Sequence, residues 1–452
     1  MPICRIREKA SDVECPSEAW EGDPEGLCFL HSRQANKDQN GRFREAIKEK
    51  LDHEDFDFSG IYFPGETNIF KGYTFNQDVD FFRAIFSGRA DFKGTTFSGG
   101  AYFSRVKFSG DAVFTGTTFS RGTYFLGAAF IGKAFFSQAT FSGIANFPEA
   151  TFSKGVFFYG ATFSGEALFI LATFSGNVCF KGTTFSQYVF FQHANFLQLA
   201  DFSRTRIKNQ LVLDNINSSL PGEPKGYFRS DFSEIRFSDE GRLRFQDLSL
   251  AYANFTDTDL LQCRFNNVDW HRLRGRQAIY DEVLLYEKAK GPKGKKPYTE
   301  QYARAEESYR YLKLNYESAG DFKKAGDFHY GEMEMHRKAI PWRRWVSLYS
   351  AYWVLSGYGE RPLRGFIWLL LLIPAWAGLV WGLGIDQAGS QNPVTYLDTL
   401  LFIFDKATLQ RPPWPAGITW LGKFLSSLSV LLLPGQAALF ILALRNRLGR
   451  RR

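Results

Sequence analysis

Cysteine is scarce and poorly placed for a disulfide framework. The 452-residue chain has five, unevenly spread, whereas disulfide-stapled domains carry clustered, even sets. No apolar run opens the chain. Residues 1–20 contain Arg, Lys and Glu, so no N-terminal signal peptide is expected. The G-x-x-x-x-G-K-[ST] phosphate loop, the G-x-S-x-G elbow and the H-E-x-x-H pair are all missing. Ser, His and Asp are present, but nothing groups them, and no enzyme is expected. An acidic surplus is missing too. The net charge is +8, and between 56 and 207 there are twelve Lys/Arg and nine Asp/Glu. That stretch is near neutral, and no nucleic-acid partner is expected.

Aromatic residues are abundant, at 17% with 47 Phe. Most of the excess lies between Phe75 and Phe202, where Phe recurs in steps that alternate six and five residues without a slip. The repeat is therefore eleven residues, close to F-S-G-x-A-x-F-x-G-T-T. An eleven-residue spacing can mark a right-handed helical supercoil. Up to two Gly per unit, with Thr and Ser, exclude that, because each Gly costs a helix about 0.8–1 kcal/mol relative to Ala. A solenoid of short extended pieces remains. Phe fills its axis, a small Ala precedes many of the Phe by two residues, and Gly two residues after Phe supplies a positive-φ turn.

The grammar of Ala145-Asn146-Phe147 and Ala161-Thr162-Phe163-Ser164-Gly165 resembles the pentapeptide-repeat family. Thr123 and Val178 replace the Ala before Phe125 and Phe180. The resemblance implies a mainly β fold, a right-handed quadrilateral β-helix with one pentapeptide per side. Every second unit has an extra residue, such as Ile144 between Gly143 and Ala145. That gives about 22 residues per coil with a bulge at a corner. Roughly six coils at ~4.8 Å would make a rod about 29 Å long. The resemblance extends loosely to 56–70 and 228–270, with 209–226 interrupting as a loop. Some members of the family mimic DNA and bind gyrase, a role that wants the acidic surface this stretch lacks.

Before the repeats, Cys4, Cys15, Cys28 and His31 form C-x10-C-x12-C-x2-H. Three thiolates and an imidazole suit tetrahedral structural Zn²⁺, and C-x2-H is a familiar ligand-pair spacing. The leader is too polar to build its own core, so a metal would supply folding energy. Similar Cys/His leaders precede some pentapeptide-repeat proteins. Cys179 and Cys263 lie in the repeats and read as packing or surface residues. Residues 40–52, with Phe43 and Ile47 four apart, read as an amphipathic helix that plugs the first coil.

After Trp270 the pattern changes. Residues 271–287 read as helix or irregular structure. The stretch 288–297, KAKGPKGKKP, reads as a solvated linker, or as a contact for anionic lipid headgroups. Residues 298–337 read as two helices broken at Gly320-Asp321, and YESAGDFKKAGDF resembles part of a tetratricopeptide repeat. His329, Glu332 and His336 share a helix face, with no partner ligands identifiable.

Two uncharged runs follow, Gly365 to Ile385 and Phe424 to Leu444, each long enough to span a bilayer. Arginines precede the first and follow the second. The positive-inside rule therefore places both termini in the cytoplasm of a bacterial-type inner membrane, with 386–423 outside. Residues 341–356 read as an interfacial helix. Two spans around an apolar half-helix, Tyr396–Phe404, resemble the pore module of two-helix ion channels. The T-V-G-Y-G filter is absent, replaced by DKATLQRPPWP, and Gly357-Tyr358-Gly359 reads as a turn on the wrong side. The expected domains are 1–52 (leader and cap), 53–270 (β-helix), 271–340 (linker and helical hairpin) and 341–452 (interfacial helix and two-span module). Two functions stay open: an ion-channel-like homo-oligomer with a cytoplasmic sensing or binding rod, or a non-conducting scaffold tethered to the bilayer that binds a protein partner on its β-helix.

Overall fold

Each Phe step turns the chain by one side of a square. The computed structural model describes residues 15, 17–21, 23–218, 228–290, 299–340, 348–386 and 393–448. It divides into two compact units, Met1–Tyr286 and Glu287–Arg452. In the first, strands of mostly two residues stack into four parallel sheets of seven, eight, nine and eight strands. The result is a parallel β-solenoid of about nine turns. Its register is 22 residues in the regular part, as in Thr118↔Thr140 and Ala145↔Ala167. Along the axis each Phe lies flat on the Phe one turn away. Phe125 and Phe147 are 4.7 Å apart at 5°, and Phe147 and Phe169 are 5.0 Å apart at 8°. Rings on neighbouring sides meet edge to face, as do Phe136 and Phe147 at 5.8 Å and 86°. Each such pair adds about 0.5–1.5 kcal/mol beyond its burial.

Glycine does two jobs here, where the repeat suggested one. At Gly94, Gly116, Gly160 and Gly182 φ is +63° to +68°, the expected left-handed corner. Gly99, Gly110, Gly132 and Gly143 also follow Phe by two residues, but a Cβ there would lie 2.2–2.5 Å from the backbone of the preceding coil. Those glycines let consecutive coils approach. Where Thr replaces the small inward residue, its hydroxyl serves the coil below. Thr95, Thr117 and Thr183 donate to the carbonyls of Phe70, Phe92 and Phe158.

Both ends of the solenoid are plugged. Helix α1 (Arg42–Asp52) buries Phe43, Ile47 and Leu51. Phe43 sits edge-on to Phe63 of the first coil at 5.7 Å, and the Tyr73 hydroxyl donates to the Leu51 carbonyl. At the far end 271–278 is not helix or irregular structure: His271–Leu273 pairs antiparallel with Arg276–Ala278. Helix α2 (Tyr280–Lys290) follows. Trp270 packs on Phe265 at 5.2 Å. The Asp281 carboxylate accepts from the Phe255 amide and the Thr256 hydroxyl, and Arg276 is bidentate to buried Glu282. The first unit therefore runs past 270 to Tyr286, because this hairpin and helix cover the last open coil. Of the loop at 209–226, residues 210–214 form a strand in register with the coils on either side, and 219–226 lie outside the described residues.

The second unit is helical. Helices α3 (Thr299–Ser318) and α4 (Phe322–Ala339) form the expected hairpin, turned at Gly320 with φ +75°. Then come α5 (Leu348–Ser356), α6 (Pro362–Gly384), α7 (Tyr396–Ala407) and α8 (Trp420–Leu448). Both α6 and α8 are long and apolar enough to cross a membrane, and only 11% and 22% of their apolar stretches are buried. A core helix of a soluble domain would be mostly covered. Much of the Lys-rich stretch, 291–297, and 341–347 of the interfacial segment lie outside the described residues.

Candidate metal centre and membrane module

The leader folds against the first coil through aromatic contacts. Trp20 meets Phe29 at 5.5 Å, and Phe29 meets Phe43 at 6.3 Å. Between these anchors the chain turns so that the His31 and Ser32 amides donate to the Cys28 carbonyl. The turn brings Cys28 Sγ within 3.1 Å of His31 Nδ1 and 4.0 Å of Cys15 Sγ. All three ligand atoms lie within 4.8 Å of one another, and all three residues are buried. Two sulfurs on one tetrahedral Zn²⁺ would stand about 3.8 Å apart, given Zn–S near 2.3 Å, whereas a disulfide needs about 2.05 Å. The donor set therefore fits a metal better than a bridge.

The surroundings fit as well. His31 Nε2 lies 3.0 Å from the Ser59 carbonyl. That bond places the proton on Nε2 and leaves the Nδ1 lone pair facing the thiols, the usual outer-shell arrangement of a ligating histidine. Lys37 is 3% exposed; its ammonium donates to the Leu30 carbonyl and lies 4.4 Å over the Phe43 ring. Burial pulls Lys37 down to about 7, against the opposing pull of Cys28. Of the four residues singled out in the sequence, the structure brings together Cys15, Cys28 and His31. Cys4 lies outside the described residues. The buried Lys37 and the Ser59 carbonyl were missed, and no spacing rule would have found them. Cys263 is buried and Cys179 half-buried in the solenoid.

His329, Glu332 and His336 do not converge on one point. Glu332 takes Arg310 and Lys313 from α3, while His336 faces Glu306. Burial opposes the Glu332 charge, but hydrogen bonds from Lys313 and Arg310, with His329 Nδ1 3.6 Å away, outweigh it and hold its pKa at about 2.

The C-terminal helical module is built around α7. Its start is fixed by a reciprocal cap: the Asp398 amide donates to Thr395 Oγ1, and the Thr395 amide donates back to Asp398. The helix does not end at Phe404. It continues through Asp405, Lys406 and Ala407, because nothing breaks it before Leu409, whose φ is +62°. One side, with Phe402 and Ile403, packs into a core with Ala377, Val380 and Leu433 of α6 and α8. The other side leaves Leu397, Leu401 and Phe404 half or more exposed. Helices α6 and α8 close at Gly384 and Gly422, where a Cβ on Gly384 would stand 2.5 Å from the Gly422 Cα.

A second feature joins α4 to the two long apolar helices. Gly357, Tyr358 and Gly359 all take positive φ, +58°, +59° and +72°, which is costly for Tyr. Tyr358 is fully buried, and its hydroxyl donates to Glu334 of α4. Asn446 of α8 donates to the Gly359 carbonyl. Gln436 of α8 donates to the carbonyls of Leu355 and Gly365. The expected turn is present, held from α4 and α8.

A family profile described as Pentapeptide repeats (9 copies) matches residues 58–107, 103–151 and 114–162. The chain therefore carries pentapeptide repeats, as the resemblance implied. No curated protein and no solved structure matches the chain.

Proposed function

From a capped pentapeptide-repeat rod and two apolar helices in one chain, we propose an ion-channel-like homo-oligomer anchored in the inner membrane, with both termini and the rod in the cytoplasm. The rod senses or binds a partner. The observation that supports this reading most is α7. Twelve residues rise only ~18 Å, too short for a hydrocarbon core of ~30 Å. A helix that enters without crossing must have its ends met by protein or water. Its outer face, Leu397, Leu401 and Phe404, is apolar and uncovered within one chain, which suits a neighbouring subunit. The clasped turn at Gly357–Gly359 gives α4 a direct mechanical connection to both spans.

The leader contributes a structural Zn²⁺ site. Cys15, Cys28 and His31 hold the ion, with Cys4 as the fourth ligand. Three thiolates would leave the centre one negative charge in excess, and the Lys37 ammonium lies alongside to compensate. A metal there rivets the leader to the first coil.

The alternative is a tethered scaffold that binds a protein on its rod without conducting. One observation favours it: after α7 the chain turns at Leu409 and passes two consecutive prolines, Pro412-Pro413, with no carbonyl-lined strand of the potassium type. Mass measurement of the detergent-extracted protein separates the two at the first level. A pore needs several subunits, and a strictly monomeric particle removes the channel reading.

A further inference from the structure

The outward register positions of the nine-stranded sheet form one ladder, interrupted at Val212, which is only 7% exposed. Register aligns Asp80, Tyr102, Tyr124, Asn146, Leu168, Phe190, Val212, Arg244 and Arg264, one per turn. The middle is aromatic and aliphatic. Tyr102 and Tyr124 stack at 5.2 Å and 5°, and their rings lie down over Gly100 and Gly122, where any Cβ would collide with them. The face is therefore flat. Ile144, Leu126 and Tyr188 flank the ladder and are 38–42% exposed. The two ends carry opposite charge: Asp80 at one, Arg244 and Arg264 at the other.

We propose that this face binds the same face of a second copy of the chain, with the two rods antiparallel. The charge pattern selects that partner. Reversed and laid face to face, the ladder is complementary to itself: Asp80 meets Arg264, Tyr102 meets Arg244 as a cation–π pair, and Leu168 lies on the two-fold axis against its own copy. A parallel pair would set Asp80 against Asp80 and each arginine against itself, and like charges brought together cost several kcal/mol. The opposite sheet also has an apolar middle, Val113, Phe135 and Phe157, but acids on both sides of it, Asp91 on one and Asp201 and Asp231 on the other, so it has no such self-complement. A strip ~38 Å long and ~13 Å wide buries about 500 Å² per partner, at the weak end of specific interfaces. This pairing rests on the membrane anchoring proposed above, since tethering in one membrane raises the effective concentration enough for such a contact to form. Glu166 is the exception, since it would approach its own copy at the edge of the axis.

Disulfide cross-linking of the full-length protein in membranes tests this, in a Cys179→Ser background. Leu168→Cys should link to itself. Asp80→Cys and Arg264→Cys should each fail alone and link when the two chains are mixed. Asp80→Arg should lower the Leu168→Cys product about tenfold, Asp80→Arg with Arg264→Asp should restore it, and Glu166→Gln should raise it. Self-linking of Asp80→Cys would mean parallel rods and overturn the proposal. So would the absence of any product from protease-resistant rods, or Leu168→Cys capturing only a different protein. The charge-swap pair reads the same contact through other residues should one cysteine variant misfold.

Discussion

Replacing Phe147 by Asp attacks the solenoid where its physics is simplest. Phe147 is fully buried. Its ring stacks on Phe125 and Phe169 and meets the edges of Phe136 and Phe158 at 5.8 and 6.0 Å. Deleting a buried Phe costs about 3–5 kcal/mol, and an unpaired carboxylate in that hydrocarbon adds several more or is forced to protonate. Each turn contacts only its neighbours, so the loss should stay local. Hydrogen exchange on the full-length protein should show amides from about Phe125 to Phe169 losing protection, while both capped ends keep theirs. Thr151→Asp, one side further along and outward-facing, should change stability by no more than about 0.5 kcal/mol. If Phe147→Asp exchanges like the parent protein, the inward Phe ladder is wrong.

Metal analysis of the purified protein should find about one Zn²⁺ per chain, lost in Cys28→Ser and kept in Cys179→Ser; a metal-free leader with unchanged protection at α1 would exclude the site. The Glu332 carboxylate, held at about 2 in the fold, stabilises the α3–α4 hairpin fully above the ordinary carboxylate pKa. That contribution, at most about 3 kcal/mol, is lost as pH falls toward 2. Glu332→Gln should flatten the acid dependence of hairpin exchange, and an unchanged acid profile would show the ion pairs to be idle. Reporters fused before Met1 and after Arg452 should report cytoplasm, and one inserted near Ser390 the exterior; an exterior C-terminus would break the two-span topology.

The solenoid was legible because its period is unbroken and each Phe is forced inward by the same local grammar. The cap at Phe43 and Ile47 was legible for a related reason, since an open coil needs a cover and the apolar pair had no other use. The second role of glycine was hidden: Gly94 and Gly99 look alike in sequence, and only the path of the adjacent coil separates a left-handed corner from a close approach. The hairpin at 271–278 escaped because short strands capping an end carry no repeat. In α8, Gln436 and Asn446 were readable signals, as polar groups in an apolar helix need partners, but their partners, carbonyls around 355–365, are set by tertiary packing. The metal residues were named from spacing alone, while the support from Ser59 and Lys37 exists only after the leader meets the rod.

Current through planar bilayers tests the central claim most directly. Full-length protein, verified as an oligomer before reconstitution, should carry cation current with weak discrimination between potassium and sodium, because no carbonyl-ring filter is present. Asp405→Asn, near the end of α7, should shift that preference. Verified oligomers that pass no current, with and without the rod, would contradict the channel account and leave a tethered scaffold.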